Sequence, residues 1–447
     1  SCGLLPFRVS AFPRCRGRTL PWRGRWLSGG VRGFQRFQRL GEAESRFANH
    51  LFPPMSTGVE SEDVEGGYVF DLVRNAEEWT SLEPEIESLY ASLDDPNPYF
   101  SPEWLRCWRK WFAPETKPMV AIVRDSNSTL RACWPFVERR GILGATILWP
   151  FVYDEANYFD PLGDFSQPHL AKTLCRNLRA CLGEFHFIWL PLLRESFWSE
   201  HLAPFLADKP DLRIERIPRE TSFAELADFP TFDCYLRDRL GSKSRKMLRY
   251  TGRKLERLGS LKYETHDDPQ SMSGFLPTSC IVEVNSWKSP EVAGLYSIRG
   301  KRAFFFELLP ALAEKGRAVA SCLRVDDVPV AWELGLLWGG NYGLHNVSYD
   351  DSWKQHSPGN QLLMRNLAAS HASSRTVDFL PGNLGYKRKF ATRSAPVHEL
   401  YWFRRSVRGL LARKLILWNM KARRRIRASA SADSRANRAV REAFGEA

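Results

Sequence analysis

Apolar residues along the central part of the chain follow a helical period in some segments and a strand-like period in others, and the order of these segments repeats. Each of two halves shows a helix, two strands joined by a turn, a third strand, a helix and a further strand. In the first half these elements are predicted at 101–112, 118–141 (two strands), 145–149, 167–182 and 185–193. In the second half they are predicted at 301–316, 318–340 (two strands), 342–349, 359–372 and 376–382.

This repeated order predicts a mixed α/β fold class. We expect tandem lobes with mixed, largely antiparallel sheets flanked by helices, the N-terminal lobe over 68–235 and the C-terminal lobe over 260–403. Between them, residues 236–259 contain nine Lys and Arg against two acids, with leucines at helical spacing, which predicts a basic helical linker. Two interpretations of the linker remain open: a solvated connecting helix, and a positive rim beside a phosphate-bearing substrate.

The net charge of +13 over 447 residues is concentrated in the two ends of the chain. Residues 1–54 hold ten Arg and two Glu, and residues 403–447 hold thirteen basic and three acidic residues. The part between them carries 41 basic and 46 acidic residues. The basicity therefore does not indicate a nucleic-acid-binding core.

We expect both ends to lie outside the lobes. Residues 1–54 are interpreted as a disordered or non-native basic extension, which is translated sequence upstream of Met55, a targeting peptide or a flexible basic arm. Residues 404–447 form a basic amphipathic tail that either lies on an anionic membrane surface or docks its apolar stripe on the body. Its apolar stripe consists of Leu410, Leu411, Leu415 and Trp418.

Several classes of protein and of site are not indicated by the sequence. There is no apolar run of about eighteen residues, as a transmembrane helix would need. The nine cysteines show no CxxC spacing, so we expect no metal site and no disulfide framework, but reduced cysteines in a cytoplasmic protein. The motifs GxGxxG, GxxxxGK[ST], HExxH and GxSxG are absent.

The first candidate site is the loop that leads into the helix predicted at 359–372. Pro358 suits the first turn of a helix, and Gly359 would let a ligand approach the backbone closely. The free N–H groups of that turn form a ready anion site, which we assign to His356, Ser357, Gly359 and Asn360. An ordinary capped helix start would show the same pattern.

The second candidate site follows the strand near 376–382. Asp378 interrupts an apolar strand, and Tyr386 and Lys387 come shortly after it. A buried carboxylate facing this pair could orient an acceptor or shuttle a proton, although Asp378 capping a turn with the lysine in water is an equal alternative. His345 is a candidate base or a structural histidine. We place three further residues on the substrate side: Trp287, Lys288 and Tyr349.

The residues around these sites resemble a known family. The segments "WKSPE", "GLHNVSYDDSWKQHSPGNQLL" and "VDFLPGNLGYKRKFA", in this order, resemble GNAT-fold acetyltransferases of the FemAB-like type. More narrowly, they are similar to CelD-like proteins associated with bacterial cellulose and exopolysaccharide synthesis. The segments "NPYFSPEWLRCW" and "ANYFDPLGD" are similar to the N-terminal half of that family. The resemblance covers residues 68–405.

The resemblance implies two GNAT-like lobes, an acyl-CoA donor, and an amine or hydroxyl acceptor. It places the CoA pyrophosphate on the backbone at the start of the 358–372 helix, and the protein would mainly position and polarise the thioester. The loop departs from the family pattern of Arg/Gln-x-x-Gly-x-Gly/Ala. Here it reads Gln355-His356-Ser357-Pro358-Gly359-Asn360, with one glycine missing and a proline inserted.

The sequence thus predicts an acyltransferase that moves an acyl group, acetyl in the first place, from acyl-CoA to a cell-envelope or polysaccharide-related acceptor. Two alternatives remain: a FemAB-type transferase that uses aminoacyl-tRNA, and a GNAT-fold module without catalysis that binds a membrane or a partner through 404–427. The expected location is the cytoplasm, with peripheral contact to the inner membrane.

Overall fold

The computed structural model describes residues 65–112, 116–141, 144–152, 155–207, 211–286, 288, 299–382 and 385–422. The predicted extension 1–54 and the final part of the predicted tail therefore lie outside the described residues. Within these ranges the strands are β1 (Val69–Val73), β2 (Pro118–Arg124), β3 (Leu130–Arg140), β4 (Thr146–Pro150), β5 (Leu162–Gly163), β6 (Phe187–Arg194), β7 (Leu212–Glu225), β8 (Leu261–His266), β9 (Ala318–Val325), β10 (Val328–Trp338), β11 (Asn341–Tyr349), β12 (Thr376–Asp378) and β13 (Arg393–Phe403).

The longer helices flank these strands. They are α1 (Ala76–Ser92), α2 (Pro102–Phe112), α3 (Pro168–Ala180), α4 (Phe232–Arg239), α5 (Ser242–Glu256), α6 (Pro269–Val284), α7 (Arg299–Glu314), α8 (Pro358–Ala372), α9 (Gly385–Phe390) and α10 (407–422). A single turn of π-helix (Trp198–Leu202) joins the short helices Glu195–Phe197 and Ala203–Ala207. Short 3₁₀ turns lie at Glu65–Gly67, Pro98–Phe100, Cys181–Gly183, Leu226–Asp228 and Asp351–His356. No helix among the described residues has both the length and the apolar composition that crossing a bilayer requires.

The strands form one mixed sheet, and the order of the strands from one edge to the centre mirrors the order from the other edge. Its order is β1-β2-β3-β4-β6-β13-β7-β12-β11-β10-β9-β8, with β5 paired to β3. The neighbours β4 and β6 run parallel, as do β11 and β12, and the other described pairs are antiparallel. The predicted mixed α/β fold and its repeated order of elements are confirmed.

The two halves exchange their last strands. We call β1 to β7 the N-terminal half and β8 to β13 the C-terminal half. β7 leaves its own half to pair with β12, and β13 pairs with β6. β7 and β13 also pair with each other along almost their whole length, from Leu212 with Phe403 to Phe223 with Arg393. The halves therefore share one continuous hydrogen-bonded sheet.

The hairpins fold as their sequences predict. In the first hairpin the Asp125 carboxylate accepts hydrogen bonds from the backbone N–H of Asn127 (2.9 Å) and Thr129 (3.0 Å), and Ser128 adopts a left-handed φ of 61°. In the second, Asp326 takes the left-handed position with a φ of 50°. Short polar side chains tolerate this conformation best, so these residues set the registers of the flanking strands.

A leucine with a left-handed backbone lies at the corresponding place of each half. Leu192 in β6 has a φ of 53°, and Leu380, two residues after β12, has a φ of 59°. Such a conformation costs of order 1–3 kcal/mol for a non-glycine residue and persists only where the surroundings enforce it. Leu380, followed by Pro381, ends β12 at Asp378, which is why this strand is shorter than the predicted 376–382.

The parallel pair of the C-terminal half opens into a wedge. β11 pairs with β12 over 341–343, where β12 ends, and continues to Tyr349 in pairing with β10. In the N-terminal half the segment around Phe159 lies beside β6 at the corresponding place, because the N–H of Phe159 donates to the Leu192 carbonyl (3.1 Å). The edge of β11 over 344–349 thus faces the space beyond β12 and ends beside the first turn of α8. Just past this edge Ser286 forms a bridge with Asp350, and the Asp351 N–H donates to the Asn285 carbonyl (3.0 Å).

Candidate functional site

Asp378 lies at the end of β12, where the two halves meet, and is buried. Tyr158 Oη donates to its Oδ2 (2.6 Å), while Thr221 Oγ1 (2.7 Å) and the backbone N–H of Leu380 (2.8 Å) donate to its Oδ1. Burial raises the pKa of Asp378, and these hydrogen bonds oppose the rise. The carboxyl group therefore both caps the turn into Leu380 and anchors a buried polar cluster.

Lys387, in the short helix α9, points into the protein and not into water. It is 7% exposed, and its Nζ donates to the Leu380 carbonyl (2.9 Å). Burial lowers the pKa of Lys387 to about 8, and the charge of Asp378 opposes this shift. Asp378 thus lies close enough to influence the protonation of Lys387, and a fraction of Lys387 is neutral near neutral pH.

Tyr386 turns the other way. Its half-buried ring packs against the apolar cluster that contains Tyr342, Leu363 and Phe390. Burial raises the pKa of its hydroxyl, and the charge of Glu333 adds to this effect. The structure therefore places Tyr386 towards Glu333, while Lys387 faces Leu380.

His345 is an extra residue on β11, because Leu334 and Gly335 of β10 face Asn346 and Leu344. Its Nδ1 lies 3.2 Å from Tyr99 Oη, and that hydroxyl accepts a hydrogen bond from Asn157 Nδ2 (3.0 Å). Burial lowers the pKa of His345 to about 3, with Lys288 and Lys301 contributing. The imidazole is therefore neutral at physiological pH.

Two lysines accompany His345. Lys288 Nζ donates to Asn346 Oδ1 and lies 5.3 Å from the centre of the Trp332 ring. Burial lowers the pKa of Lys288 to about 8. Lys301 forms an ion pair with Glu155 of the N-terminal half (2.5 Å). The predicted substrate residue Trp287 lies outside the described residues.

The predicted anion loop is the start of α8. Ser357 precedes the helix with a left-handed φ of 53° and makes no capping hydrogen bond through its side chain. Within the described residues, the buried Nδ1 of His356 has no hydrogen-bond partner. A Cβ on Gly359 would meet Tyr349 Cδ1 at 3.4 Å, which is an ordinary contact. Tyr349 therefore borders the first turn of α8.

The equivalent helix start in the N-terminal half is covered. The second residue of α3 is His169, and a Cβ on Gly66 would lie 2.9 Å from its Cβ. The turn Glu65–Gly67 therefore packs directly on the first turn of α3. At the same position α8 has Gly359, which places no side chain over the backbone of the first turn.

The basic segment 236–259 lies beside the start of α8 and is divided between α4 and α5. Gln361, in the first turn of α8, donates to the Leu248 carbonyl and to Thr251 Oγ1 (2.9 Å each). One face of α5 is exposed and carries five long side chains: Lys243, Lys246, Tyr250, Arg253 and Lys254. α5 therefore packs on the start of α8 through the side that carries Leu248 and Thr251, and its exposed positive face lies on the other side of the helix.

Residues that the sequence analysis did not assign complete the site from the N-terminal half and β7. They are Tyr99, Asn157, Tyr158, Arg194 and Thr221. The Arg194 guanidinium lies over the Tyr158 ring (5.6 Å) and forms an ion pair with Asp160 (2.6 Å). Tyr99, Asn157 and Tyr158 lie in "NPYF" and "ANYFDPLGD", which belong to the segments with a family resemblance, whereas Arg194 and Thr221 lie outside those segments.

The comparisons with known proteins agree with a GNAT fold. Residues 242–388 match a family described as acetyltransferase (GNAT) domain, which confirms the predicted resemblance at this level. FemX has a TM-score of 0.50 and 10% identity, covering 71% of this chain and 95% of FemX. No curated protein sequence matches the chain.

Two further solved structures show a more distant likeness. A C-terminal domain of a lysylphosphatidylglycerol synthetase from Agrobacterium fabrum has a TM-score of 0.47 and 12% identity, covering 76% of this chain and 96% of that one. A tandem GNAT protein from the clavulanic acid biosynthesis pathway has a TM-score of 0.39 and 14% identity, covering 74% and 98%. The CelD-like resemblance stays a prediction.

Proposed function

We propose that the chain is an acyltransferase that takes an acyl group, in the first place acetyl, from acyl-CoA. The observation that carries this proposal is the wedge beyond β12, whose β11 edge leads to the uncapped start of α8. The pantetheine arm of CoA contains two amide groups, which can hydrogen-bond to such a strand edge. The pyrophosphate would then meet the N–H of Gly359 and the positive dipole end of α8, because the N–H groups of Asn360 and Gln361 donate to the Ser357 carbonyl (3.0 and 3.3 Å).

The donor fits the C-terminal half better than the N-terminal half. In the C-terminal half Gly359 places no side chain over the backbone of the first turn of α8, and the buried Nδ1 of His356 has no hydrogen-bond partner among the described residues. In the N-terminal half Phe159 lies against β6 and Gly66 packs on α3. We therefore assign the donor to His356, Ser357, Gly359 and Asn360.

The acceptor would enter from the side of Asp378, Lys387 and His345. In the reaction an amine or hydroxyl of the acceptor attacks the thioester carbon, the new N–C or O–C bond forms, and the C–S bond breaks. CoA leaves as a thiolate that takes up a proton. Neutral Lys387 can accept the proton of the acceptor, since its pKa of about 8 lies near the working pH.

Other residues would orient the acceptor. Lys288 and Tyr349 would contact the acceptor, as would Trp287, which is proposed from the sequence alone. Tyr386 would approach from the side of α9 that packs on α8. His345 would serve as a neutral hydrogen-bonding group, because its low pKa makes it a weak base. The motif resemblance to CelD-like proteins makes cell-envelope and polysaccharide precursors the first acceptors to test.

Calorimetric titration of the full chain with CoA and acetyl-CoA tests the donor. Gly359→Trp should abolish saturable binding, because the indole would fill the start of α8. Gly274→Trp is the matched control, since a Cβ there meets no atom within 4 Å, and it should bind as the wild type does. Absence of binding by the wild type, or equal binding by both variants, would contradict the assignment.

A second candidate donor, aminoacyl-tRNA, is favoured by the exposed positive face of α5, a helix whose other side packs on α8. Lys246→Gln/Arg253→Gln should weaken binding of unfractionated tRNA and make its salt dependence less steep, by about 0.7–0.9 in the log–log slope for each phosphate group that the variant no longer neutralises. Arg106→Gln/Lys315→Gln removes the same charge elsewhere and should have little effect. If neither CoA nor tRNA binds, a GNAT-fold module without catalysis is the remaining alternative.

A further inference from the structure

The helix α10 follows β13 and is held to the body by one side. Ala412 and Ile416 pack against the apolar cluster formed by Ile147, Phe187, Trp189 and Phe403. Gly409 allows a close approach at its start, because a Cβ there would lie 2.1 Å from the Arg404 carbonyl oxygen. Ser406 caps the helix by accepting from the N–H of Gly409 through its Oγ (3.2 Å). The position of α10 on the sheet is therefore fixed.

The opposite side of α10 faces outwards and carries five apolar side chains, with Lys414 and Lys421 on the same face. Val407 is 74% exposed and Trp418 69%, and both stand on one line of the helix with Leu411. Leu410 and Leu415 border this line and are also exposed. Single exposed apolar side chains are common on soluble proteins, but five on one face of one helix form a patch that calls for a partner.

The charge around this patch identifies the partner. The sequence from 404 to 427 contains ten basic residues and no acidic residue. Lys414 and Lys421 are exposed beside the apolar line, and Arg404, Arg405 and Arg408 are exposed at its start. An apolar face with a tryptophan and a border of cations matches the boundary between the headgroups and acyl chains of an anionic bilayer.

The same charge disfavours two other occupants. A second copy of the chain joined by a two-fold axis would bring like patches together and so oppose the cations of one patch with those of the other. The remaining residues 423–447 carry seven basic and three acidic residues, so they also lack the complementary charge. An anionic lipid surface is the occupant that complements both the apolar and the charged parts.

We propose that α10 docks the protein on anionic membranes, lying in the plane of the interface with Val407, Leu411 and Trp418 inserted. The sixteen residues of α10 span roughly 24 Å at 1.5 Å per residue, and its other side stays bound to the sheet. This proposal does not depend on the donor or the reaction. It assigns a membrane surface as the partner of the outward face of α10. This helix packs on β4, β6 and β13, whereas the start of α8 lies beside β11.

Co-sedimentation of the full chain with phosphatidylcholine vesicles, with and without phosphatidylglycerol, tests this proposal. The wild type should bind the vesicles that contain phosphatidylglycerol, and added salt should weaken this binding. Leu411→Ser/Trp418→Ser keeps every charge and should reduce partitioning by at least about tenfold, since burial of such side chains is worth about 1.5–3 kcal/mol each. Ile281→Ser changes an exposed residue of α6 (58% exposed) and should bind as the wild type does.

Two results would overturn the proposal. One is a wild type that does not bind the anionic vesicles, and the other is a double variant that binds them as strongly as the wild type, because binding would then come from charge elsewhere. Sedimentation velocity without lipid adds a third outcome. A wild-type dimer that the double variant converts to a monomer, without vesicle binding, would assign the face to a second copy. Circular dichroism melting curves of all variants verify that each is folded.

Discussion

Tyr158, from the N-terminal half, donates a hydrogen bond of 2.6 Å to Oδ2 of Asp378, from the C-terminal half. Thr221 on β7 donates to the other carboxyl oxygen (2.7 Å), so three segments that are distant in sequence meet at one buried group. Burial raises the pKa values of Tyr158 and of Asp378. The halves are thus joined by a polar cluster at the candidate acceptor site as well as by the exchange of strands.

We expect Tyr158→Phe to lower the free energy of unfolding by about 1.5–3 kcal/mol, because it leaves one oxygen of a buried carboxyl group without its donor. Tyr235→Phe is the matched control: the Tyr235 hydroxyl is also buried but donates to a neutral acceptor, the Phe390 carbonyl. It should cost only about 0.5–1.5 kcal/mol. Urea denaturation measures both, and an equal decrease in the two variants would contradict a special contribution of the Asp378 bond.

The turn between β10 and β11 provides a second test of the contact between halves. A Cβ on Gly339 would lie 2.1 Å from the carbonyl oxygen of Asp94, whereas a Cβ on Gly340 would meet nothing within 4 Å. Both glycines have left-handed φ angles, of 46° and 75°. An alanine at either position would therefore be strained by the left-handed backbone to a similar extent. Only at Gly339 does it also press on the N-terminal half.

Gly339→Ala should accordingly destabilise the protein by about 1–3 kcal/mol more than Gly340→Ala, the usual range for overpacking. Urea denaturation of the two variants gives this difference directly. Equal stabilities would mean that the hairpin moves away from Asp94 at no cost in stability, and that the contact between the halves does not depend on it.

The repeated order of elements was predictable because it is a local property. Strands such as β2 are buried along nearly their whole length and read as apolar runs, and the turn residues between them are short and polar. The strand exchange was not predictable in this way. β7 carries mostly polar residues, and nothing within its sequence reports that its partners are β12 and β13.

The candidate site likewise contains some contacts that follow from local sequence and others that only the fold shows. Asp378 and Lys387 are nine residues apart, and their proximity follows from one strand end and one short helix. Tyr158 and Thr221 reach Asp378 across 220 and 157 residues, so only the assembled sheet shows that they belong to it. The apolar environment of Tyr386 also depends on tertiary packing, since the residue type and spacing fit either orientation.

Glu333 on β10 provides a prediction about pH. It is buried, accepts a hydrogen bond from Tyr342 Oη (2.6 Å), and burial raises its pKa to about 7 from 4.5. Between these values the folded protein binds more protons at Glu333 than the unfolded chain does, so this residue makes stability fall as pH rises from 4.5 to 7.

Glu333→Gln keeps an acceptor for Tyr342 and removes the titration. Relative to the wild type, we expect the variant to gain up to about 3 kcal/mol of stability between pH 4.5 and 7, and to keep this gain at higher pH. Urea denaturation across this range measures the difference. The exposed Glu314→Gln should follow the wild type at every pH. A constant difference between Glu333→Gln and the wild type would show that Glu333 titrates normally.

Lys387 gives the opposite dependence on pH. Burial lowers its pKa to about 8 from 10.5, so between these values the folded protein binds fewer protons there than the unfolded chain, and stability rises with pH. The wild type should therefore gain up to about 3 kcal/mol relative to Lys387→Met between pH 8 and 10.5.

Lys389→Met changes an exposed lysine of the same helix and should show no such gain relative to the wild type. Urea denaturation at several pH values separates the two variants. The result bears on the proposed reaction, because a Lys387 that remains fully charged up to pH 10 could not accept a proton from the acceptor near neutral pH. A flat difference between the wild type and Lys387→Met would thus remove Lys387 as the base while leaving the donor site at α8 unaffected.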